Sequence, residues 1–203
     1  MQKITIIDYG MGNLKSVAKA VENVGGKVTV SSNPNDVLTA DKVILPGVGA
    51  FRDCVNNLAK YNLSEAVKEF IKKGNFFLGI CLGMHMLFEK SFEFGEHKGL
   101  ALVKGSVVKF KNIGNLPIPH MGWNVIRKEK ESKLLTSINN GDFFYFAHSF
   151  YVAPVNNGDI LTTTDYGMNF TSSINKDNIF GVQFHPEKSQ KNGLQVLKNF
   201  LKL

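Results

Sequence analysis

Asn75-Phe76-Phe77-Leu78-Gly79-Ile80-Cys81-Leu82-Gly83-Met84 is the stretch whose reading decides the fold. Its apolar first half reads as a buried strand and Met84-His85-Met86-Leu87-Phe88-Glu89 as helix-like, so Cys81 stands at a strand-to-helix corner. Glycines on both sides of a nucleophile allow the tight, strained turn that lifts a side chain above a sheet, where a helix N-terminus favours the thiolate. Cysteine also serves as a small buried hydrophobe, and the local pattern leaves both roles open for Cys81. Cys54 differs, because Phe51, Cys54, Val55 and Leu58 share one helical stripe and read as core. The glycines beside Cys81 have no evident packing purpose in the sequence, which points that cysteine toward chemistry.

Outward from this corner, the N-terminal half alternates strand and helix. Ile4 to Asp8 is an apolar run, Leu14, Val17, Ala18, Val21 and Val24 recur at helical spacing, and Gly25-Gly26 stops them. Lys27 to Ser31 reads as strand, Ser32 to Asp36 as turn, and Lys42 to Leu45 as a buried strand ending in Pro46-Gly47-Val48-Gly49. Helices follow over 50–60 and 63–73, the second with Leu63, Ala66, Val67, Phe70 and Ile71 on one face. Such alternation builds an α/β fold whose parallel sheet is covered on both faces. Its ligand belongs beyond the carboxyl ends of the strands, where Asp8, Pro46–Gly49 and Cys81 emerge. After about residue 98 the pattern changes to short strands at 106–110, 143–147, 160–164, 170–174 and 179–184, separated by turn signals at 112–115, 139–142 and 156–159. That predicts a largely antiparallel addition, closed by a helix with Leu194, Leu197, Phe200 and Leu201 inward.

With 43% hydrophobic and 20% charged residues, the 203-residue chain fits one soluble globular domain, 1–203, in the cytoplasm. No apolar run has the length of a membrane span, and the N-terminus lacks a signal-peptide pattern. Two cysteines in such different settings predict no disulfide. The net charge of +7 is spread over lysines interrupted by acids, as in Arg127-Lys128-Glu129-Lys130-Glu131, which argues against a nucleic-acid partner.

A nucleophilic thiol needs a base, and the base an orienter. Of the five histidines, only His185 has a carboxylate at short fixed spacing, in His185-Pro186-Glu187. In an extended segment, residues two apart project to one side, so Glu187 can hold one imidazole nitrogen while the other faces Cys81. His85 shares the helical face of Cys81 without an evident orienter and reads as site lining. No histidine pair has zinc spacing, so no metal is expected. The oxyanion of an acyl transfer needs donors. The N–H of Leu82 is one, and the Pro46–Gly49 loop offers another, since its glycines allow close backbone approach.

Gly79-Ile80-Cys81-Leu82-Gly83-Met84 with His185-Pro186-Glu187 resembles the class I (triad) glutamine amidotransferases. The stretches 7–16, 45–51, His120-Met121-Gly122-Trp123-Asn124 and 184–189 resemble, more narrowly, the HisH family of glutaminase subunits of imidazole glycerol phosphate synthase, and together they span nearly the whole chain. The resemblance implies a three-layer fold with a mostly parallel central sheet flanked by helices and an antiparallel portion in the C-terminal half. It implies that Cys81 attacks the side-chain amide of L-glutamine, His185 relays the proton to ammonia, and Glu187 orients His185, without a cofactor. It further implies a heterodimer with the cyclase subunit HisF, a (β/α)8 barrel that consumes the ammonia in histidine biosynthesis. Pro46, Gly47 and Val48 with Gly49 would then form a switch that completes the oxyanion hole, and His120 to Asn124 would lie at or near the subunit interface. Trp123 suits an interfacial anchor and a core position equally well. Backbone at His148-Ser149-Phe150 would hold the glutamine α-groups. His85 stands where the family usually has Gln, which predicts altered glutamine affinity. Two other readings compete: delivery of ammonia to a different synthase, such as a surface-sugar amidating enzyme, and a non-catalytic regulatory subunit.

Overall fold

The computed structural model describes residues 2–111 and 113–203. In chain order its elements are β1 (Lys3–Ile7), α1 (Leu14–Asn23), β2 (Lys27–Ser31), α2 (Pro34–Leu38), β3 (Lys42–Leu45), α3 (Phe51–Lys60), α4 (Leu63–Lys72), β4 (Phe76–Ile80) and α5 (Leu82–His85). Then come β5 (Phe88–Ser91), β6 (His97–Lys98), β7 (Val103–Lys109), β8 (His120–Val125), β9 (Arg127–Lys128), β10 (Phe143–His148), β11 (Phe150–Pro154), β12 (Ile160–Asp165), β13 (Asn169–Lys176), β14 (Ile179–Val182) and α6 (Gln190–Lys202).

One sheet runs in the order β2, β1, β3, β4, β14, β13, β11, β7, β5, β6, with β12 on β13 and β9 on β12. From β2 to β14 every pair is parallel, and from β14 onward the pairs are antiparallel except β5 with β7. β8 and β10 form a separate antiparallel pair.

Side-chain alternation along the parallel strands supplies two cores. Ile7, Val43, Leu45 and Phe77 pack on the side of α3 and α4, while Ile4, Ile6, Ile44, Leu78 and Ile80 pack on the side of α1 and α6. Every expected apolar position of α4 is buried. In α6 the buried stripe is Val196, Leu197 and Phe200, with Leu194 and Leu201 at its partly buried margin.

Three expectations are corrected. Ser32 to Asp36 holds more than a turn, because Asn33 caps a short helix with Pro34 at its first position and its side chain accepts from the Asn35 N–H. The helix after Cys81 is a single turn, and Phe88–Ser91 pairs instead as a strand with β7. The chain is strand-rich in places the pattern missed, at β5, β6, β8, β9 and β11. The turn signal expected at 112–115 begins at Asn112, outside the described residues.

Candidate active site

β4 and β14 are the last parallel neighbours before the sheet turns antiparallel, and the site is built where both end. The Cys81 N–H donates to the Val182 carbonyl at 2.7 Å, which fixes the corner against β14. Cys81 itself takes φ 54° and ψ −113°, a conformation costing about 1–3 kcal/mol in an L-residue. The strain sits on the cysteine and not on its glycines, neither of which has positive φ. Those glycines have a packing purpose after all. A Cβ at Gly79 would lie 2.7 Å from the backbone of Gly83, and one at Gly83 would lie 1.8 Å from the Leu45 carbonyl oxygen. β3, β4 and α5 touch through bare backbone, and that contact holds Cys81 in its strained turn.

His185 follows β14, and its Nδ1–H donates to Glu187 Oε1 at 2.9 Å, with both side chains buried. The segment is not extended as expected. Pro186–Lys188 forms a 3₁₀ turn that brings the carboxylate back under the ring. The second carboxylate oxygen, Oε2, is sealed with no partner among the described residues, where the acid's side-chain hydrogen bond goes to the imidazole. Burial works against a charge on His185, but hydrogen bonding and charge from the Cys81 sulfur and from Glu187 overcome it and raise the imidazole to about 10.

Beside the thiol lies a cavity of about 220 Å³, lined among others by Val48 and Gly49, by Cys81, Leu82 and His85, and by Met121, His148, Ser149 and Phe150. Leu82 opens α5, so its N–H has no partner within the helix. Gly49 has φ +102°, and Gly47 is confined, with a Cβ there falling 2.8 Å from Tyr9 Oη and 2.9 Å from the Gly83 nitrogen. Tyr9 Oη donates to the Pro46 carbonyl at 2.9 Å and the Cys54 thiol to the Val48 carbonyl at 3.7 Å. The loop is thereby tied down at its root, and only Val48 and Gly49 reach the surface.

A family model, "Glutamine amidotransferase class-I", matches residues 5–203. The "Imidazole glycerol phosphate synthase subunit HisH" of Aquifex aeolicus (strain VF5) is 52% identical over 199 residues, 98% of this chain and 95% of that one. The chain belongs to the class I glutamine amidotransferases, in the HisH family. The HisH subunit of Caldanaerobacter subterraneus subsp. tengcongensis is 49% identical over 97% of this chain and 96% of its own. The structure "PurLQS from Thermotoga maritima" superposes with a TM-score of 0.77 at 17% identity, covering 100% of this chain and 99% of that one, and so shares the fold.

Within this amidotransferase, strand alternation divides the segment His120 to Asn124, which the sequence treats as one interfacial unit. Met121 and Trp123 are exposed, at 64% and 46%, whereas His120 is 3% exposed. His120 instead belongs to a buried chain of donors. Asn124 Nδ2 donates to His120 Nε2 at 3.2 Å, His120 Nδ1–H to His148 Nε2 at 2.9 Å, and His148 Nδ1–H to the Phe150 carbonyl at 2.8 Å. Burial lowers His120 to about 4 and holds His148 well below its ordinary value, so both rings are neutral, as this order of donors requires.

Burial likewise pushes His85 down to about 4, and its Nε2 lies 2.7 Å from Gln183 Oε1. Gln183, fully buried, reaches Cys81 Sγ with its amide nitrogen at 3.7 Å. Sequence reading passed over Gln183 and Tyr9. Tyr9 sits inside a stretch used for the resemblance and Gln183 immediately before another, but the partner that gives each its meaning is distant in sequence.

Proposed function

We propose that this amidotransferase hydrolyses L-glutamine to glutamate and ammonia at Cys81 and passes the ammonia to the cyclase subunit HisF, a (β/α)8 barrel, for imidazole glycerol phosphate synthesis in histidine biosynthesis. The observation that carries the reading is the strained Cys81 corner beside the buried His185–Glu187 pair, opening on an amino-acid-sized cavity. It acts without a cofactor, in the cytoplasm, as one domain over 1–203, a reading supported by the 12-stranded sheet that takes strands from both halves.

The Cys81 sulfur attacks the carboxamide carbon, and the N–H groups of Leu82 and Gly49 receive the oxyanion. His185, charged and held by Glu187, gives its proton to the departing nitrogen; the C–N bond breaks and ammonia leaves a thioester. The now neutral His185 takes a proton from water, whose oxygen attacks the thioester, and glutamate leaves as the sulfur is regenerated. Ser149 and Phe150 backbone hold the substrate's α-groups, and His85 lines the side-chain end. Exposed Val48 and Met121 line the cavity, exposed Trp123 and Phe143 line a second depression on the β8–β10 pair, and the four suit an apolar partner surface.

Glutamate production by the chain mixed with its cyclase subunit and that subunit's nucleotide ligand tests the reading. Cys81→Ala should abolish it. Undiminished turnover in that variant overturns the nucleophile, and absence of turnover in the wild-type complex overturns the function.

A further inference from the structure

Gln183 follows β14 immediately and is fully buried between two side chains distant from it in sequence. Its Oε1 lies 2.7 Å from His85 Nε2, and its Nε2 lies 3.7 Å from Cys81 Sγ. An amide buried here gives up hydration that an apolar residue of similar size would not lose. The geometry points to Gln183 as a positioning residue for the thiol: its amide turns N–H toward the Cys81 sulfur because His85, on the other side, donates to its oxygen. This rests on the reading of Cys81 as the nucleophile.

Proton counting ties the amide orientation to the His85 tautomer, and the placement of Oε1 against His85 Nε2 selects the first of two arrangements. A neutral imidazole has one N–H. When that proton is on Nε2, the amide must offer oxygen to His85, and its NH2 group is left facing sulfur. With the proton on Nδ1, Nε2 becomes an acceptor, the amide turns over, and its oxygen faces sulfur instead. The first arrangement stabilises a thiolate and the second a thiol. Gln183 cannot titrate, and a protonated His85 would still donate from Nε2, so the orientation of the amide persists across pH. Other titratable groups surround this thiol: His185 with Glu187, His148 and Glu93 lining the same cavity, and Tyr9 and Cys54 on the side of β1 and α3. None of these others is placed to orient the Gln183 amide, which His85 alone engages through its oxygen among the described residues.

The pH dependence of Cys81 alkylation by iodoacetamide, read on the Cys81 peptide by mass spectrometry in the full chain, measures the effect without glutamine turnover. Gln183→Met removes the donor without adding charge and should raise the alkylation midpoint, slowing the reaction at pH 7 about three- to tenfold. Gln183→Glu keeps an acceptor for His85 but sets a carboxylate against sulfur and should slow it by more than about tenfold, one pH unit being a factor of ten. His85→Leu frees the amide to turn and should shift the midpoint the same way. The double variant His85→Leu with Gln183→Met should shift no further than Gln183→Met alone, because both changes break one relay. A Gln183→Met profile that superimposes on wild type, or additive shifts in the double variant, overturns the proposal. Where a variant melts early, the profile is taken below its transition, and His85→Leu gives an independent reading. A wild-type complex that fails to hydrolyse glutamine would instead count against the function and leave the alkylation result intact.

Discussion

Gly83→Ala is the sharpest test of how the corner is held. The added Cβ would sit 1.8 Å from the Leu45 oxygen and 2.9 Å from the Leu45 carbonyl carbon. Carbon approaches a carbonyl oxygen to about 3.3 Å at the closest, so the end of β3 and the start of α5 must part by about 1.5 Å. Both obstacles are backbone, and Leu45 is fully buried, so no flexible side chain can yield. Overpacking of this kind costs about 1–3 kcal/mol. The displacement falls on the two segments that supply Cys81, Leu82 and the Pro46–Gly49 loop, and a misplacement near 1 Å can lower a rate about a hundredfold. Gly79→Ala, whose Cβ would stand 2.7 Å from the same turn, should act in the same direction. Gly74→Ala is the control: it has φ +85° and no atom within 4 Å of the new Cβ, so it should cost only about 1–2 kcal/mol of backbone strain and leave turnover alone. Thermal unfolding and glutamate production with the cyclase subunit report both effects. A Gly83→Ala protein that melts with wild type and keeps its turnover within about twofold would refute the account of the corner.

Three further outcomes are expected. Trp123→Ala, at a 46% exposed position, should weaken binding of the cyclase subunit about thirtyfold by calorimetry, the scale of a 2 kcal/mol anchor, while the melting temperature stays put; unchanged affinity would remove Trp123 from the interface. Tyr9→Phe leaves the buried Pro46 carbonyl without the donor it has at 2.9 Å and should cost about 1–3 kcal/mol, lowering the melting temperature by roughly 2–4 °C per kcal/mol; a full-stability variant would show that the tie is dispensable. His85 and His120 are held near pKa 4 by burial, so the unfolded chain takes up their protons first as pH falls below about 6.5, and stability should decline between pH 6.5 and 4. His185 behaves oppositely, its contribution being complete below about 6.5 and lost as pH rises through about 10. A melting temperature flat from pH 7 to 4.5 would contradict the neutral burial of His85 and His120.

The parallel half was legible because each of its elements is stabilised by its own pattern. Lys27–Ser31 and Lys42–Leu45 begin and end where the pattern places them, and α4 buries the whole face assigned to it. The antiparallel half was less so. β10 and β11 are separated by Ser149 alone, yet β10 pairs with β8 and β11 with β7 and β13, so a continuous apolar run divides between two sheets. Phe88–Ser91 has helix-compatible residues before it, and only the pairing with β7, distant in sequence, decides for strand. Gly122, at φ +130°, and the polar His120 and Asn124 blur the alternation of β8. Gln183 illustrates the limit best: its partners lie 98 and 102 positions away, so no local period could assign it a role.

The corner also explains why the two halves of the sheet meet where they do. Under the proposed function a thiol at the end of β4 needs a base presented from its neighbour, and a parallel neighbour ends at the same edge. β14 supplies this, with the Val182 carbonyl gripping Cys81 and Gln183 and His185 following at once. β14 is itself reached from β13 by a short connection, possible only because that pair is antiparallel. The pairing of β14 with β4 brings His185 and Glu187 beside a cysteine more than a hundred residues earlier. β11 pairs with β13 on the far side of β14, and Ser149 with Phe150 at the start of β11 lines the cavity. Strain at Cys81 is sustained because backbone from β3, β14 and α5 closes on it. Relaxing any one of those three contacts should let the cysteine leave its positive φ before the sheet itself unfolds.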